Sequence, residues 1–529
     1  MKKLTTKQIR DKFARLKSER GNFEQQWQEI LDYVVPRKNN VLTKRSPGEK
    51  RNFQVLDNTG MVSNELLAGA LHGFLTNPYG QWFEFTTGDT RLDNDDDVRL
   101  WMQDTARRTL HIISNSNFQT EVHELYIDMP SVCTGCMYID EDKRDVVRFS
   151  TKFIGDYYID ENHLGIVDEI YRSWPWTADK IVAEFGYENV GNDVQKAYQK
   201  GDSMTFMVLQ AVYPAMMVDK DGSGYHSVYF LDKEDHILRE EKYQTFPYAV
   251  PRWAKATGEK YGRGPGMVAL PELKVLHKMA ETMLIGAQKV VDPPLQMEDD
   301  GVILPLITRP GGINFRRAGS DQIRPIFNDT RLDFGYQAME DRRKRVRDAY
   351  YVDQLKLQSG GPMMTATEVM QRTEEAMRLL GPMLGRMETE FLRVTIDRVF
   401  DIAMRRGKYL PVPEALKGKR IDVRYSSFIA KAQRMGEAQN MLRAIEFITP
   451  FIQLDPGVKD NFNGDIAVRM AGQMYSLPQE IIRPYAEVAA RREASQQAMA
   501  AQQQAMAQQQ QAETALTQTE VIQNTGALE

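Results

Sequence analysis

The sequence predicts an α+β protein of several domains, and three observations lead to this class. The N-terminal third places its apolar residues at helical spacing. Residues 131–252 change to short β-branched and aromatic runs separated by Asp, Asn and Gly, which is typical of strands and turns. Two long helical patterns then flank a stretch rich in Pro and Gly. The length of 529 residues suggests roughly three or four domains.

The N-terminal part is predicted to contain two helices. The first carries Ile9, Phe13 and Leu16 at helical spacing and ends before Pro36, because proline lacks the N–H that a helix interior needs. A basic linker, "RKNNVLTKRSPGEKR", separates it from "MVSNELLAGALHGFL", a helix rich in small residues. The strand candidates that follow are "CMYID", "VVRFSTKF", "DYYID", "TFMVLQAVY", "HSVYFL" and "HILREEKY".

A long rod is predicted in the segment "KYGRGPGMVALPELKVLHKMAETMLIGAQKVVDPP", with Pro271 in its first helical turn. Its apolar residues alternate at spacings of three and four, a narrow seam like that of a coiled coil. About 20 residues give a rod of roughly 30 Å. The seam residues are Leu273, Leu276, Ala280, Met283, Ala287 and Val290.

Three glycines precede this rod, and glycines before a helix raise the question of a phosphate site. Gly262, Gly264 and Gly266 lack the Gly-Lys-Ser/Thr ending of a Walker loop, since Met267 and Val268 follow. Their spacing also differs from a dinucleotide fingerprint. A tight turn that serves as a hinge into the rod is the favoured interpretation. A nucleotide-binding enzyme using this turn remains the alternative.

The chain beyond the rod is predicted to be a small β module, a second rod and a long helix. The second rod, about 333 to 356, contains the basic run "EDRRKRVRDAYY", in which Arg343, Lys344 and Arg347 share one side. Such a run indicates either a solvated helix with internal ion pairs or a surface that meets phosphate or acidic neighbours. The long helix, about 365 to 406, should kink at Gly381 and Pro382.

The C-terminal part is predicted to be helical from about 431 to 490 and then rich in Ala and Gln. The tail places alanines on a seven-residue repeat, which buries too little apolar area to be stable alone. The two alternatives are a helix formed within an assembly and a disordered tail. A further interpretation of the whole chain is a coiled-coil scaffold that does not contact DNA.

Composition and motifs exclude several classes of function. The formal charge of −5 differs from the basic excess of a nucleic-acid coat protein, and two cysteines imply no disulfide framework. Neither a signal peptide nor a membrane-spanning run is visible, so a soluble, intracellular protein is expected. Asp219–Gly224 resembles the start of a calcium loop, but Phe230 stands where the bidentate glutamate belongs, which favours a hairpin turn.

No catalytic residue, metal or cofactor is predicted. Cys133 and Cys136 have a spacing seen in zinc sites, with His111 and His123 as conceivable further ligands. A second cysteine pair is missing, so zinc is not expected. No serine or cysteine nucleophile has a matching base.

Many segments together resemble the portal, or head-to-tail connector, proteins of short-tailed bacteriophages. Their order and spacing carry the resemblance, from "LDNTGMVSNELLAGALHGFLTNPYGQWFEF" through "SNFQTEVHELYIDMPSVCTGCMYIDED", "EIYRSWPWTADKIVAEFG", "FPYAVPRWAKATGEKYGRGPGMVALPEL" and "VDPPL" to "TATEVMQRTEEAMRLLGPMLGRMETE" and "YSSFIAKAQ". The resemblance implies a portal fold in a twelve-subunit ring around a central channel. The implied domains are N-terminal helices and wing 1–264, first stem helix 265–292, clip 293–332, second stem helix 333–355, tunnel loop and kinked wing helix 356–430, crown 431–490 and C-terminal helix 491–529.

The resemblance also implies a function. The ring would occupy one capsid vertex of the virion, conduct double-stranded DNA during genome packaging and ejection, and nucleate procapsid assembly in the host cytoplasm. Implied partners are other copies of the chain, DNA without sequence specificity, the terminase large subunit, scaffolding and major capsid proteins, a tail adaptor and core proteins at the crown, with no membrane. The residues expected to line the tunnel are Lys356, Gln358 and Ser359 in the loop and Arg343, Lys344 and Arg347 near the stem.

Overall fold

The computed structural model mixes helices with antiparallel sheets, which confirms the predicted α+β class. It describes residues 3–296 apart from 39, 43–47, 49–54, 79, 94, 218–221 and 233–235, and then 305, 313–315, 318–319, 324–325, 332–355, 378–425 apart from 420, 440–441, 443–451, 457, 463–474, 481, 483 and 487–506. The chain divides into two compact units, Met1–Trp82 with Arg107–Tyr409, and Phe83–Ala106 with Leu410–Glu529. Across these described ranges, no helix is long and apolar enough to cross a membrane.

The N-terminal elements are mainly helices, as predicted. The first begins with a capping box, in which the Thr5 side chain accepts the Gln8 N–H while the Gln8 side chain accepts the Thr5 N–H. It ends two residues before Pro36. The elements are α1 (Thr6–Val34), α2 (Thr59–Leu75), β1 (Phe83–Thr86), α3 (Thr90–Asp93), α4 (Asp96–Asn115) and α5 (Phe118–Ser131).

The predicted β-rich body consists of two antiparallel sheets. Its elements are β2 (Met137–Asp142), β3 (Val146–Thr151), β4 (Tyr157–Glu161), β5 (Val167–Thr177), α6 (Ala178–Phe185), α7 (Asn192–Lys200), β6 (Thr205–Pro214), β7 (Tyr225–Leu231), β8 (Ile237–Tyr243) and β9 (Tyr248–Ala249). One sheet has the order β3-β2-β9 and the other β4-β5-β6-β7-β8. The larger sheet has two apolar clusters: one contains Ala178 and Ile181 of α6, and the other contains Ile9 and Leu16 of α1. β6 and β7 pair antiparallel, and Phe230 is a buried strand residue. Asp219, Lys220 and Asp221 lie outside the described residues, so the turn favoured there over a calcium loop stays a prediction.

Two rods follow, separated by a short β pair. These elements are α8 (Pro265–Val291), β10 (Leu295–Gln296), β11 (Arg324–Pro325), α9 (Leu332–Ala349) and α10 (Val352–Leu355). Pro265 occupies the first turn of α8, where its missing N–H costs nothing. Pro271, which was predicted for the first turn, lies inside the helix instead. The two rods pack on each other, and Met283 of α8 lies against Gly335 of α9 so closely that a Cβ at Gly335 would overlap it. β10 and β11 pair antiparallel between the rods.

A long helical segment continues from 378 to Arg405. Gly381 and Pro382 lie within its first helical part, residues 378–386, and the predicted kink there stays a prediction. The irregularity that the structure does show is a π-helical turn, Met387–Leu392, before the α-helix Arg393–Arg405. Such turns insert a residue and often mark functional positions.

The second unit contains a short sheet and several helices. β1 pairs antiparallel with β12 (Asp422–Tyr425), and Glu414–Leu416 form a 3-10 turn. Helices are present at Gly464–Met474 and at residues 443–451 and 487–506. The last of these covers the first half of the Ala- and Gln-rich tail, and its side chains are almost all exposed. Residues 507–529 lie outside the described part of the chain.

Candidate functional site

The glycines before α8 lie in close contact with the backbone of residues 130–133. A Cβ at Gly262 would overlap the carbonyl oxygen of Cys133, and one at Gly266 would overlap that of Ser131. A Cβ at Gly264 would lie 2.7 Å from Cγ of Trp253. The Gly262 N–H also donates to Thr134 Oγ1 at 2.8 Å. The three glycines are therefore required because no side chain fits, and none of them has a positive φ.

Cys133 occupies the position where a phosphate would meet the first amides of α8. Its sulfur faces the N–H groups of Gly266 and Met267, and its backbone has a φ of 63°. Burial raises the pKa of its thiol to about 12, an effect that outweighs these two amides. A buried, neutral thiol thus fills the space in front of the helix, and this does not favour the nucleotide-binding alternative.

The residues considered for zinc lie apart from one another. Cys133 and Cys136 are buried free thiols. His123 lies beside His72, with ring centroids 5.7 Å apart, and His111 is hydrogen-bonded to Asn115. The described residues contain no group of three or more His, Cys, Asp or Glu that could hold a metal ion.

The chain just after the C-terminal end of α9 packs against Trp253, the residue that also lies beside Gly264. Tyr351 has a φ of 56°, which is uncommon for a bulky residue, and its ring stacks on Trp253 at 6.5 Å. Tyr350 beside it is fully buried. Trp253 therefore contacts both rods, at Gly264 before the start of α8 and at Tyr351 just after the end of α9.

The basic run of α9 is largely neutralised within the chain. Arg343 Nε donates to Asp57 Oδ2 at 2.8 Å, and Arg347 Nη2 donates to Glu340 Oε1 at 2.9 Å. Burial alone would raise the pKa of Asp57, but hydrogen bonds from Thr59 and Arg343 outweigh it and hold that pKa below its usual value. Lys344 is exposed and makes no ion pair with any residue that the structure describes.

The six predicted seam residues of α8 differ in burial. Leu273 and Leu276 are fully buried, and Val290 is 49% exposed. The remaining three, Ala280, Met283 and Ala287, are half-buried. α8 also carries exposed apolar residues, and these are Val268, Val275, Leu284, Ile285 and Val291.

A buried arginine that sequence reasoning missed joins the body to the π-helical turn. Arg252 is 1% exposed and binds Glu390 in a bidentate pair, through Nη2 at 2.7 Å and Nε at 3.1 Å. It also pairs with Glu161 and donates to the carbonyl oxygens of Gly165 and Lys260. The only sequence signal was a charged residue between the apolar residues of "AVPRWA".

The structure does not describe the residues predicted for the tunnel loop. Lys356, Gln358 and Ser359 lie outside the described residues, so the tunnel loop stays a prediction. The same applies to the tunnel role of Arg343, Lys344 and Arg347, although their positions on α9 are known.

Comparisons with known proteins give one consistent family. A model described as "Bacteriophage head to tail connecting protein" matches residues 6–482. A "Probable portal protein" of Bordetella phage BPP-1 is 30% identical over 513 residues, covering 94% of this chain and 92% of its own length. A "Portal protein" of Salmonella phage epsilon15 is 28% identical over 505 residues, covering 92% of this chain and 91% of its own. A solved neck of an empty GTA particle aligns with a TM-score of 0.37 at 11% identity, over 78% of this chain and 89% of that one.

Proposed function

Because the chain belongs to the family of bacteriophage head to tail connecting proteins, we propose that its copies form a twelve-membered portal ring that conducts double-stranded DNA. The family is structural, so the chain is a phage portal protein and a component of the virion, not an enzyme. The ring occupies one capsid vertex and acts during genome packaging and ejection. It nucleates the procapsid in the host cytoplasm.

The observation that best supports a ring is the exposed apolar surface of α8. Val268 is 67% exposed and Val275 43%, and both lie on a rod whose other face packs on α9. Exposed apolar residues on a long rod are stabilised when a neighbouring copy covers them. A contact between two different patches, repeated around an axis by a rotation that divides a full turn, closes into a ring.

The charge of the chain suits a conduit through which DNA slides. Each firm phosphate contact adds affinity and would retard the duplex. The formal charge of −5 per copy repels DNA on average, and the arginines of α9 are mostly held by carboxylates of the same chain. In this account Lys344 offers a transient contact to phosphate, together with Lys356, Gln358 and Ser359 of the tunnel loop.

We assign the predicted domains to this ring. The wing is 1–264, with the glycines at 262–266 connecting it to the stem; the stem helices are 265–292 and 333–355, and the clip is 293–332. The remaining segments are the tunnel loop and wing helix at 356–430, the crown at 431–490 and the terminal helix at 491–529. The partners of this ring are the terminase large subunit, scaffolding and major capsid proteins, a tail adaptor that meets the clip, and core proteins at the crown.

The change Lys344→Glu tests the conduit. It should leave ring assembly intact, because Lys344 is exposed and makes no ion pair among the described residues, and it should lower the yield of DNA-filled heads by repelling phosphate. The matched control is Lys180→Glu, the same charge change on α6 of the body. Packaging yields that are equal for both variants and the unchanged protein would contradict a role for Lys344 in the channel.

A further inference from the structure

The five-stranded sheet carries an exposed apolar group at one end. Leu164 is 69% exposed and Ile166 is 56% exposed in the turn between β4 and β5, and Met216 and Met217 are exposed in the turn after β6. Because β5 pairs antiparallel with β6, both turns lie at the same end of the sheet. We call these four residues the sheet tip.

The opposite end of the same sheet contains a cavity of about 430 Å³. Its volume is in the range of about 300–1,000 Å³ found for ligand pockets. Apolar side chains contribute to its lining, namely Ala197, Met204, Phe206, Met207 and Leu231. Charged side chains from α7 and from the ends of the strands line it too: Asp193, Lys196, Lys200, Asp202 and Asp232. We call this cavity the sheet pocket.

We propose that the sheet tip of one copy of this chain inserts into the sheet pocket of the next copy. The proposal rests on the ring proposed above and names a surface through which its wings associate. Tip and pocket lie about 30 Å apart along the ten residues of β6, so a chain cannot fill its own pocket. Tip and pocket are different patches, so the contact is head-to-tail, the type that generates closed rings.

The charges on the two surfaces support a second copy as the occupant. Lys196 and Lys200 are exposed and make no ion pair with the residues that the structure describes. Asp168, at the start of β5 beside the tip, is a half-buried carboxylate that likewise has no ion pair among them. Burial and the neighbouring Glu169 raise the pKa of Asp168 to about 6. A lysine from the next copy would stabilise the ionised form of this carboxylate.

Lys12 beside Met217 does not add to this complementarity, because Glu169 and Asp160 of the same chain hold its ammonium group at 2.6 Å and 3.4 Å. The charges that can pair between copies are therefore Lys196 and Lys200 at the pocket and Asp168 beside the tip. Apolar side chains in the middle of a contact, with charges of opposite sign at its rim, are the usual arrangement of a protein interface.

A disulfide between copies tests this contact directly. The double variant Leu164→Cys with Met204→Cys places one thiol on the exposed tip and one at the pocket, while the native cysteines are buried. A disulfide requires Cα atoms within about 7 Å, so the two new thiols cannot join within one chain. Oxidation of the assembled full-length protein should give a ladder of covalent multimers under denaturing conditions. Each single variant should stay monomeric in the same assay.

The other outcomes separate this contact from the ring itself. Rings without a ladder would overturn the tip-into-pocket contact and leave the portal ring standing. A covalent dimer from Leu164→Cys alone would mean that a tip meets a tip, which also overturns it. An absence of rings in both the double variant and the unchanged protein would reject the proposed function.

In addition, Leu164→Asp should raise the concentration for half-assembly at least tenfold, and an unchanged concentration would contradict the contact.

Discussion

Cys133 explains why a glycine-rich turn precedes α8 without serving a phosphate. A left-handed backbone at a non-glycine residue costs roughly 1–2 kcal/mol, so its surroundings must hold it. The N–H of Trp253 donates to its carbonyl oxygen at 3.0 Å, and its sulfur faces the first amides of α8. The close approach of the chain to this residue leaves no room for a Cβ at Gly262. The turn is thus shaped by packing against the body.

The change Gly262→Ala tests this packing. Its Cβ would overlap the Cys133 carbonyl, and overpacking of this kind costs about 1–3 kcal/mol of the free energy of unfolding. The control is Gly69→Ala on α2, where nothing lies within 4 Å of the new Cβ. Alanine should stabilise that exposed helix position by roughly 0.5–1 kcal/mol. Denaturant unfolding of both variants measures this, and equal stabilities would contradict the close approach.

His123 predicts a stability that depends on pH. Burial, followed by repulsion from His72 and Arg37, lowers its pKa below 6.5, and the attraction of Glu124 and Glu65 only partly offsets this. The unfolded chain then binds the proton more readily, so the free energy of unfolding falls as pH drops below about 6.5. The variant His123→Gln should show a flatter pH profile between pH 7 and pH 5 in thermal unfolding. Parallel profiles for the two proteins would show that His123 is not the cause.

At the scale of elements, the pair of Arg252 and Glu390 fixes the long helix to the body. The π-helical turn Met387–Leu392 carries Glu390, and its bidentate partner Arg252 lies on the strand-like segment before the glycines. Phe391 of the same turn packs against Phe118 and Tyr126 of α5. One charged pair and one aromatic contact therefore position the turn.

Removal of the arginine should destabilise the protein strongly. Arg252→Ala removes the buried cation shared by Glu161 and Glu390, which leaves them only their more exposed partners Lys255 and Arg386, and breaking a buried pair costs about 3–5 kcal/mol. The control is Arg263→Ala, whose pair with Glu259 is largely exposed and worth below about 1 kcal/mol. Denaturant midpoints compare the two variants. If both variants lose a similar free energy of unfolding, burial of the Arg252 pair adds nothing to the stability of the protein.

Local patterns predicted the elements well and their contacts poorly. The end of the first rod at "DPP" was predicted and the helix ends at Val291, but it begins at Pro265, before Pro271, which the local pattern placed in the first turn. The pairing of Arg343 with Asp57 joins residues 286 positions apart, and no local pattern encodes it. The role of Arg252 was missed for the same reason, since both of its carboxylates are distant in sequence. The seam was predicted for six residues of α8. Leu273 and Leu276 are buried within the chain and Val290 is exposed near the end of the rod, and burial of the seam by a neighbouring copy stays a prediction.

At the scale of the whole molecule, features from several regions suit a ring. α8 exposes apolar residues, the large sheet has an apolar tip and a pocket at opposite ends, and the chain is mildly acidic. Exposed apolar surfaces favour association, and in the proposed ring the negative charge would keep the channel from holding DNA firmly. These features agree with the membership of the chain in the family of bacteriophage head to tail connecting proteins.

Native mass spectrometry of the purified full-length chain, with electron microscopy of the same sample, tests the central claim most directly. The account predicts a closed particle of twelve times the chain mass of 60.7 kDa, with an open central hole wide enough for duplex DNA. A protein that stays at 60.7 kDa at every concentration, or a ring whose centre is filled by packed side chains, would contradict it.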